Sequence, residues 1–308
     1  MENRLLVMLM EFQEDDDPST TGNGKFQYDP GEYLLDLGKP PHDQEYFWWI
    51  LESVRYYYEA ASLGAYNLDF DIYPQHSYTE ADTMVVAYTL PREMAYYNPP
   101  DVDTATMISR FEEYFADVFN TVNDADSTVD FSSYGHFMIL HAGADSQHDI
   151  KGDSQSDIPS FFIQIGDGKE VTVDGVVIDH ACNVPETISQ DDQYGVPNAV
   201  IAHEFGHSLG FVDLYSTLTG APQVGWYDIM DSGGMGELVV MEIDGEQITV
   251  EGGLPTLPNA WHRILRWEDY LRSKSMLVDI DKLDFRSIRI LIVMMVNRVV
   301  ADCYSGFV

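Results

Sequence analysis

The segment Asn198–Tyr215, NAVIAHEFGHSLGFVDLY, decides how this chain is read. Asn198 suits an N-cap, and Ala199 to Leu209 can continue as about three helical turns. His203 and His207 stand four residues apart, so both imidazoles leave one helical face and can bind one ion. Ile201, Phe205 and Leu209 lie roughly opposite, available to anchor the helix in a core. Glu204 adjoins the first histidine, where it can hydrogen-bond a metal-bound water without entering the coordination sphere. Gly210 can adopt the left-handed conformation that stops the helix and turns the chain back, which brings Asp213 toward the imidazoles. Two nitrogens and one carboxylate oxygen leave a fourth tetrahedral position open, the arrangement of a catalytic rather than a structural zinc. A surface helix with two unconnected histidines would leave Gly210 and Asp213 without a purpose.

Outward from this segment the pattern alternates strands and helices. Leu5–Phe12 reads as a first strand and Glu45–Ala61 as an amphipathic helix. Phe47, Ile50, Leu51, Val54, Tyr57, Tyr58 and Ala61 form its apolar face, and Gly64 is placed to end it. Short strands are expected around Asn67–Ile72 and Thr83–Tyr88. A second helix fits Ala105–Val122, with Ile108, Phe111, Phe115, Val118 and Phe119 inward. Phe137–His141 reads as a strand, followed by the polar stretch Asp145–Asp157. Strand-like runs follow at Phe161–Ile165 and Val171–Ile178, and a loop from about Asn183 leads to the histidine helix. No internal repeat or low-complexity linker is present, which favours one catalytic unit.

Composition sets the outer limits. The 308 residues are 45% hydrophobic, enough for a substantial core. Against 52 acidic residues stand 16 Lys and Arg, a formal net charge of −36. Such a surface repels phosphate backbones, which argues against nucleic acid and anionic membranes as partners. It suits a salty or calcium-bearing medium, or plain solubility. Cys182 and Cys303 permit at most one bridge, too few for a cysteine-based zinc site. Leu5–Met10 is too short for a signal-peptide core and Ile290–Val296 too short for a membrane span, so no membrane insertion is expected.

HEFGHSLGFVDLY resembles the elongated metzincin signature with aspartate in place of a third histidine, and more closely the immune inhibitor A-like family of secreted bacterial zinc peptidases. RLLVMLMEF resembles that family's opening strand, SVRYYYEAASLGAYNL its early helix and turn, and MILHAGADSQHDIKGDS its central strand and loop. VGWYDIMDSGG is similar to the stretch around its Met-turn and LPNAWHRILRW to its closing helix. The resemblance covers about residues 4 to 270; Asp284–Val308 falls outside it.

The resemblance implies an α+β, two-lobed catalytic domain over residues 1–275, with a twisted sheet backed by helices up to about residue 209 and a smaller lobe from Gly210. Residues 276–308 are left as a segment of uncertain structure. It further implies a secreted zinc metalloendopeptidase acting on proteins or peptides, usually made with a leader and propeptide. His203 and His207 are then metal ligands, Glu204 the catalytic base, Asp213 the third ligand and Met230 the methionine beneath the metal. A non-catalytic, zinc-stabilised binding module and a zinc hydrolase of non-protein amides are the rival readings; the intact Glu204 speaks against the first.

Other residues carry two readings each. His141 could line the cleft or be a core histidine satisfied by backbone. Tyr215 and Tyr227 could offer phenols to the cleft or simply pack. Asp145, Asp149, Asp153 and Asp157 could gather around Ca2+, or form a solvated acidic loop whose spacing lacks the EF-hand pattern. His76, His148, His180 and His262 have no paired spacing and are assigned to surface or core.

Overall fold

A computed structural model describes residues 3–29, 31, 35–76, 86–166, 168–234, 237–243 and 245–277. The first strand, β1 (Arg4–Glu11), is apolar without interruption from Leu5 to Met10, as suits a strand covered on both faces. Leu5, Val7 and Leu9 point to one side of the sheet; Leu6, Met8 and Met10 point to the other. On the first side lies α1 (Gln44–Ala61), started by Asp43, whose carboxylate accepts the backbone N–H groups of Glu45 and Tyr46. Its buried face is Phe47, Ile50, Leu51, Val54, Tyr58 and Ala61, with Tyr57 only partly covered.

The chain returns to the sheet through β2 (Asp69–Tyr73) and β3 (Tyr88–Thr89), both parallel to β1. Residues 83–85 of the expected Thr83–Tyr88 strand lie outside the described residues. After the short α2 (Met94–Tyr97), α3 (Thr104–Ala125) covers the second face with Tyr114, Phe115, Val118, Phe119 and Val122. Ile108, expected inward, is exposed and Phe111 only partly buried, because the buried face of α3 begins at Tyr114. Next come β4 (His136–His141), parallel to β1, and β5 (Phe161–Gln164).

The expected single strand Val171–Ile178 is a hairpin of β6 (Val171–Val173) and β7 (Val176–Ile178). Asp174 and Gly175 both have positive φ at its turn, the Asp-Gly signature of a tight hairpin. The loop expected from Asn183 also gives way to structure: β8 (His180–Pro185) runs through Asn183 and pairs in parallel with β4. Its side chains are buried on both faces, so it lacks the polar alternation that marks a half-exposed strand. The sheet order is β2-β1-β4-β8-β5, with β3 extending the pairing of β1, and β5 is its antiparallel edge.

After β9 (Tyr194–Gly195) comes α4 (Asn198–Ser208), the histidine helix, which packs against α1, β5 and β8. Beyond it, β10 (Glu237–Ile243) and β11 (Glu246–Glu251) form a hairpin joined to β9, and α5 (Ala260–Ser273) closes the described chain. Among the described residues the protein is thus α+β, with a mixed sheet and five α-helices. No helix among the described residues is long and apolar enough to cross a membrane. Phe211, Ile229, Met230, Trp267 and Leu271 share one apolar cluster with Leu5, Val7, Tyr58 and Phe205, so residues on both sides of Gly210 build one core. Cys182 is a buried free thiol beneath α4; Cys303 and Ile290–Val296 lie outside the described residues.

Candidate metal centre

Asn198 does not cap α4 as expected: it is the first helical residue, and its side-chain amide donates to Ser53 Oγ at 2.5 Å. Pro197 precedes it without a side-chain cap, and the Ala199 N–H is satisfied by the carbonyl of Gly252 at 2.9 Å. The chain's own hairpin end thus replaces the cap. Phe205 and Ile201 enter the core, and Tyr58 donates its hydroxyl to the Ala202 carbonyl, fixing the rotation of α4 about its axis.

That rotation turns His203 and His207 outward together, with ring centroids 5.1 Å apart. Each ring is held by a backbone carbonyl: His203 Nδ1–H donates to Ile229 at 2.8 Å, and His207 Nδ1–H donates to Phe211 at 3.0 Å. A carbonyl only accepts, so both hydrogens sit on Nδ1 and, in the neutral rings, both Nε2 atoms keep their lone pairs. Gly210 ends the helix at φ +88°, a region cheap only for glycine. Nothing lies within 4 Å of a Cβ built there, so the requirement is for backbone angle rather than space. The resulting turn carries Asp213 back to place Oδ1 at 3.2 Å from His203 Nε2 and 3.3 Å from His207 Nε2.

These three atoms test whether a cation fits. Asp213 Oδ1 is buried yet receives no hydrogen bond, although two nitrogens stand beside it. With both rings neutral and their hydrogens on Nδ1, three lone pairs converge on one point, which suits a divalent cation, and the two-nitrogen, one-oxygen set suits zinc. His203, Glu204 and His207 also each offer a ligand atom within 4.8 Å of the others.

The electrostatics agree with the geometry. Burial raises the Glu204 carboxyl to about 7, against the opposing pull of His203 and His207. Burial also works against a charged His203, but the neighbouring Asp213 carboxylate and the Glu204 charge more than offset it, giving about 8 for the side chains alone. For Asp213 burial is again the largest single influence and is overcome, here by both imidazoles, which hold its carboxyl well below the usual range. Tyr215 stacks on His203 at 6.3 Å between ring centroids, and burial with the Asp213 charge raises its phenol to about 12.

Met230 lies fully buried under the helix, its sulfur where a Cβ on Gly206 would come within 2.8 Å. Tyr58 Oη and Phe211 would stand at 3.1 and 3.2 Å from that same atom. In an ordinary helix interior alanine gains roughly 0.5–1 kcal/mol over glycine. Here crowding should win: Gly206→Ala is expected to lower unfolding stability by about 1–3 kcal/mol in a denaturant titration. A gain in stability would show that Met230 does not press on the helix.

Two possible cleft residues fall elsewhere. His141 takes the other of its two readings, a core histidine: it is 0% exposed, bonded through Nδ1 to the Ala142 carbonyl and pushed down to about 4 by burial. Tyr227 neither packs nor is enclosed, being 85% exposed on a short 3-10 turn. The four aspartates do not gather. Asp145 is buried against His148 and Ser160, and Asp157 is buried against the Thr21 backbone N–H and hydroxyl. Asp149 and Asp153 instead approach Asp191, and the Asp149 carboxylate already accepts three backbone N–H groups, from Gly152, Asp153 and Ser154.

The sequence reading missed the two carbonyls that hold the histidines, since backbone groups have no letter of their own. His262, assigned only to surface or core from its spacing, is a core residue, fully buried against an equally buried Asp228. No family model matches this chain, and a search of curated proteins returned no match.

Proposed function

We propose that this chain is a zinc-dependent metalloendopeptidase of metzincin-like architecture, akin to the immune inhibitor A-like secreted peptidases. The observation that carries the reading is the convergence of His203 Nε2, His207 Nε2 and the partnerless Asp213 Oδ1, with the buried Glu204 carboxyl alongside. Zinc held by these three groups would supply Lewis acidity, lowering the pKa of water to about 7 and stabilising an oxyanion. Glu204 then takes the proton of the attacking water and returns it to the leaving amine. Its pKa near neutrality matches that double duty.

An extended peptide has a surface to bind. β5 is the outermost strand of its sheet, and its Phe162 ring stands 5.9 Å from the His207 ring. A substrate strand laid along that edge would gain main-chain hydrogen bonds and bring a peptide carbonyl toward the histidines. A groove of ≈ 580 Å³ between α3 and β5, lined by Phe111, Ile163 and Lys169 among others, runs beside the same strand, and none of the proposed metal ligands lines it. Protein or peptide substrates met outside the cell fit the acidic surface.

The test is digestion of unfolded casein by the purified protein. Cleavage should vanish with a zinc chelator and return with added zinc. Tight zinc binding without cleavage of any protein would support the binding-module reading instead.

The pH profile follows from Glu204. Protonated, it cannot act as base, so kcat/KM should fall as pH drops through its pKa. That midpoint should lie between its ordinary 4.5 and about 7, since a bound dication pulls it below the value set by burial alone. A midpoint outside that interval would assign the acidic limb to another group.

A further inference from the structure

Asp228 and His262 are both 0% exposed and lie outside the metal-binding triad, yet each touches a peptide unit that holds one of the histidines. The carbonyl of Ile229 takes the His203 Nδ1–H, and the N–H of the same peptide unit, that of Met230, donates to Asp228 Oδ1 at 2.8 Å. The carbonyl of Phe211 takes the His207 Nδ1–H, and the N–H of that peptide unit, Val212, donates to His262 Nε2 at 3.3 Å. Because Nε2 accepts, the ring's hydrogen is on Nδ1, which donates to Asp228 Oδ2 at 3.2 Å. The two arms therefore meet at one buried carboxylate.

We propose that Asp228 and His262 form a shared positioning pair for both metal-binding histidines, setting their tautomers, orientation and basicity through the two intervening peptide units. This inference rests on the metal reading of His203 and His207. A buried anion at the N–H end of a peptide unit polarises it and makes its carbonyl a stronger acceptor. The imidazole that donates to that carbonyl becomes a better ligand at its far nitrogen. Every bond in the two arms runs in the one sense that this requires. Other contacts fix the pair itself: the Asn259 N–H donates to Asp228 Oδ2 at 2.7 Å, and Phe211 stacks on His262 at 4.8 Å. Asn259 also caps α5 by accepting the N–H groups of Trp261 and His262, so the helix start delivers His262 to its place.

The experiment compares zinc affinity, by competition with a chromophoric chelator, and the visible spectrum of the cobalt-loaded protein across three variants. His262→Leu cuts one arm, Asp228→Asn removes the common charge, and His262→Gln keeps one donor and one acceptor. The Leu and Asn variants are expected to bind zinc about 10–100-fold more weakly and to shift the cobalt bands. The Gln variant should recover most of the lost affinity. Melting of the metal-free proteins separates this effect from general loss of packing, and if the Leu variant does not fold, Asp228→Asn carries the comparison. A folded Leu or Asn variant with wild-type affinity and wild-type cobalt spectrum overturns the inference alone. A wild-type protein that takes up neither metal overturns the metal reading and this inference with it.

Discussion

Glu204→Gln is expected to lower proteolytic turnover by about 10²–10⁴-fold while leaving zinc content unchanged. Gln has nearly the same shape and fits the same buried site, but it cannot accept and return a proton. Zinc analysis and casein digestion on one sample make the separation visible. Full activity in the variant would remove Glu204 from the base role. The same substitution has a second signature in the chelated protein. Glu204 has a folded-state pKa of about 7 against an ordinary 4.5, so the folded chain holds a proton that the unfolded chain releases. The stability this confers is complete below about pH 4.5 and is lost as pH rises through 7. Chelated Glu204→Gln should therefore melt above the chelated wild type at pH 8, and the difference should shrink toward pH 4.

His207→Ala should abolish zinc uptake and proteolysis together. Removing one of the three proposed ligands leaves two, too few for the three-ligand platform of a catalytic zinc. His207 is 16% exposed at its side chain and ends in the shallow last turn of α4, so its loss should disturb packing little. The expected result is a folded protein, by circular dichroism, whose zinc content falls to background. A variant that retained zinc and activity would mean that the ion sits elsewhere.

The histidine helix was legible because its chemistry is written at fixed spacing. His203 and His207 share a face by helical geometry alone, and Gly210 marks the turn that returns Asp213 to them. Helices α1 and α3 were legible because their apolar residues recur at helical period. Strand β8 was not, since both of its faces are buried and its sequence, HACNVP, carries no alternation. The β6–β7 hairpin carried a readable Asp-Gly signal that the continuous run of β-formers masked. The cap of α4 escaped because its substitute is the carbonyl of Gly252, far along the chain. Asp228 and His262 could not be joined from sequence, as a separation of 34 positions fixes no distance. The aspartates of Asp145–Asp157 looked alike in sequence and separated only by burial, with Asp145 and Asp157 in the interior, Asp149 partly covered and Asp153 exposed.

The apolar cluster common to both sides of Gly210 has a mechanical consequence. Enzymes that clamp shut on a substrate usually do so by moving two bodies, each with a core of its own, about a hinge. Here Met230, Phe211 and Trp267 are packed with Tyr58, Phe205 and β1, so swinging the C-terminal part away would tear open the interior. If the chain cleaves peptides as proposed, substrate access should therefore depend on side-chain and loop motion rather than on hinge closure.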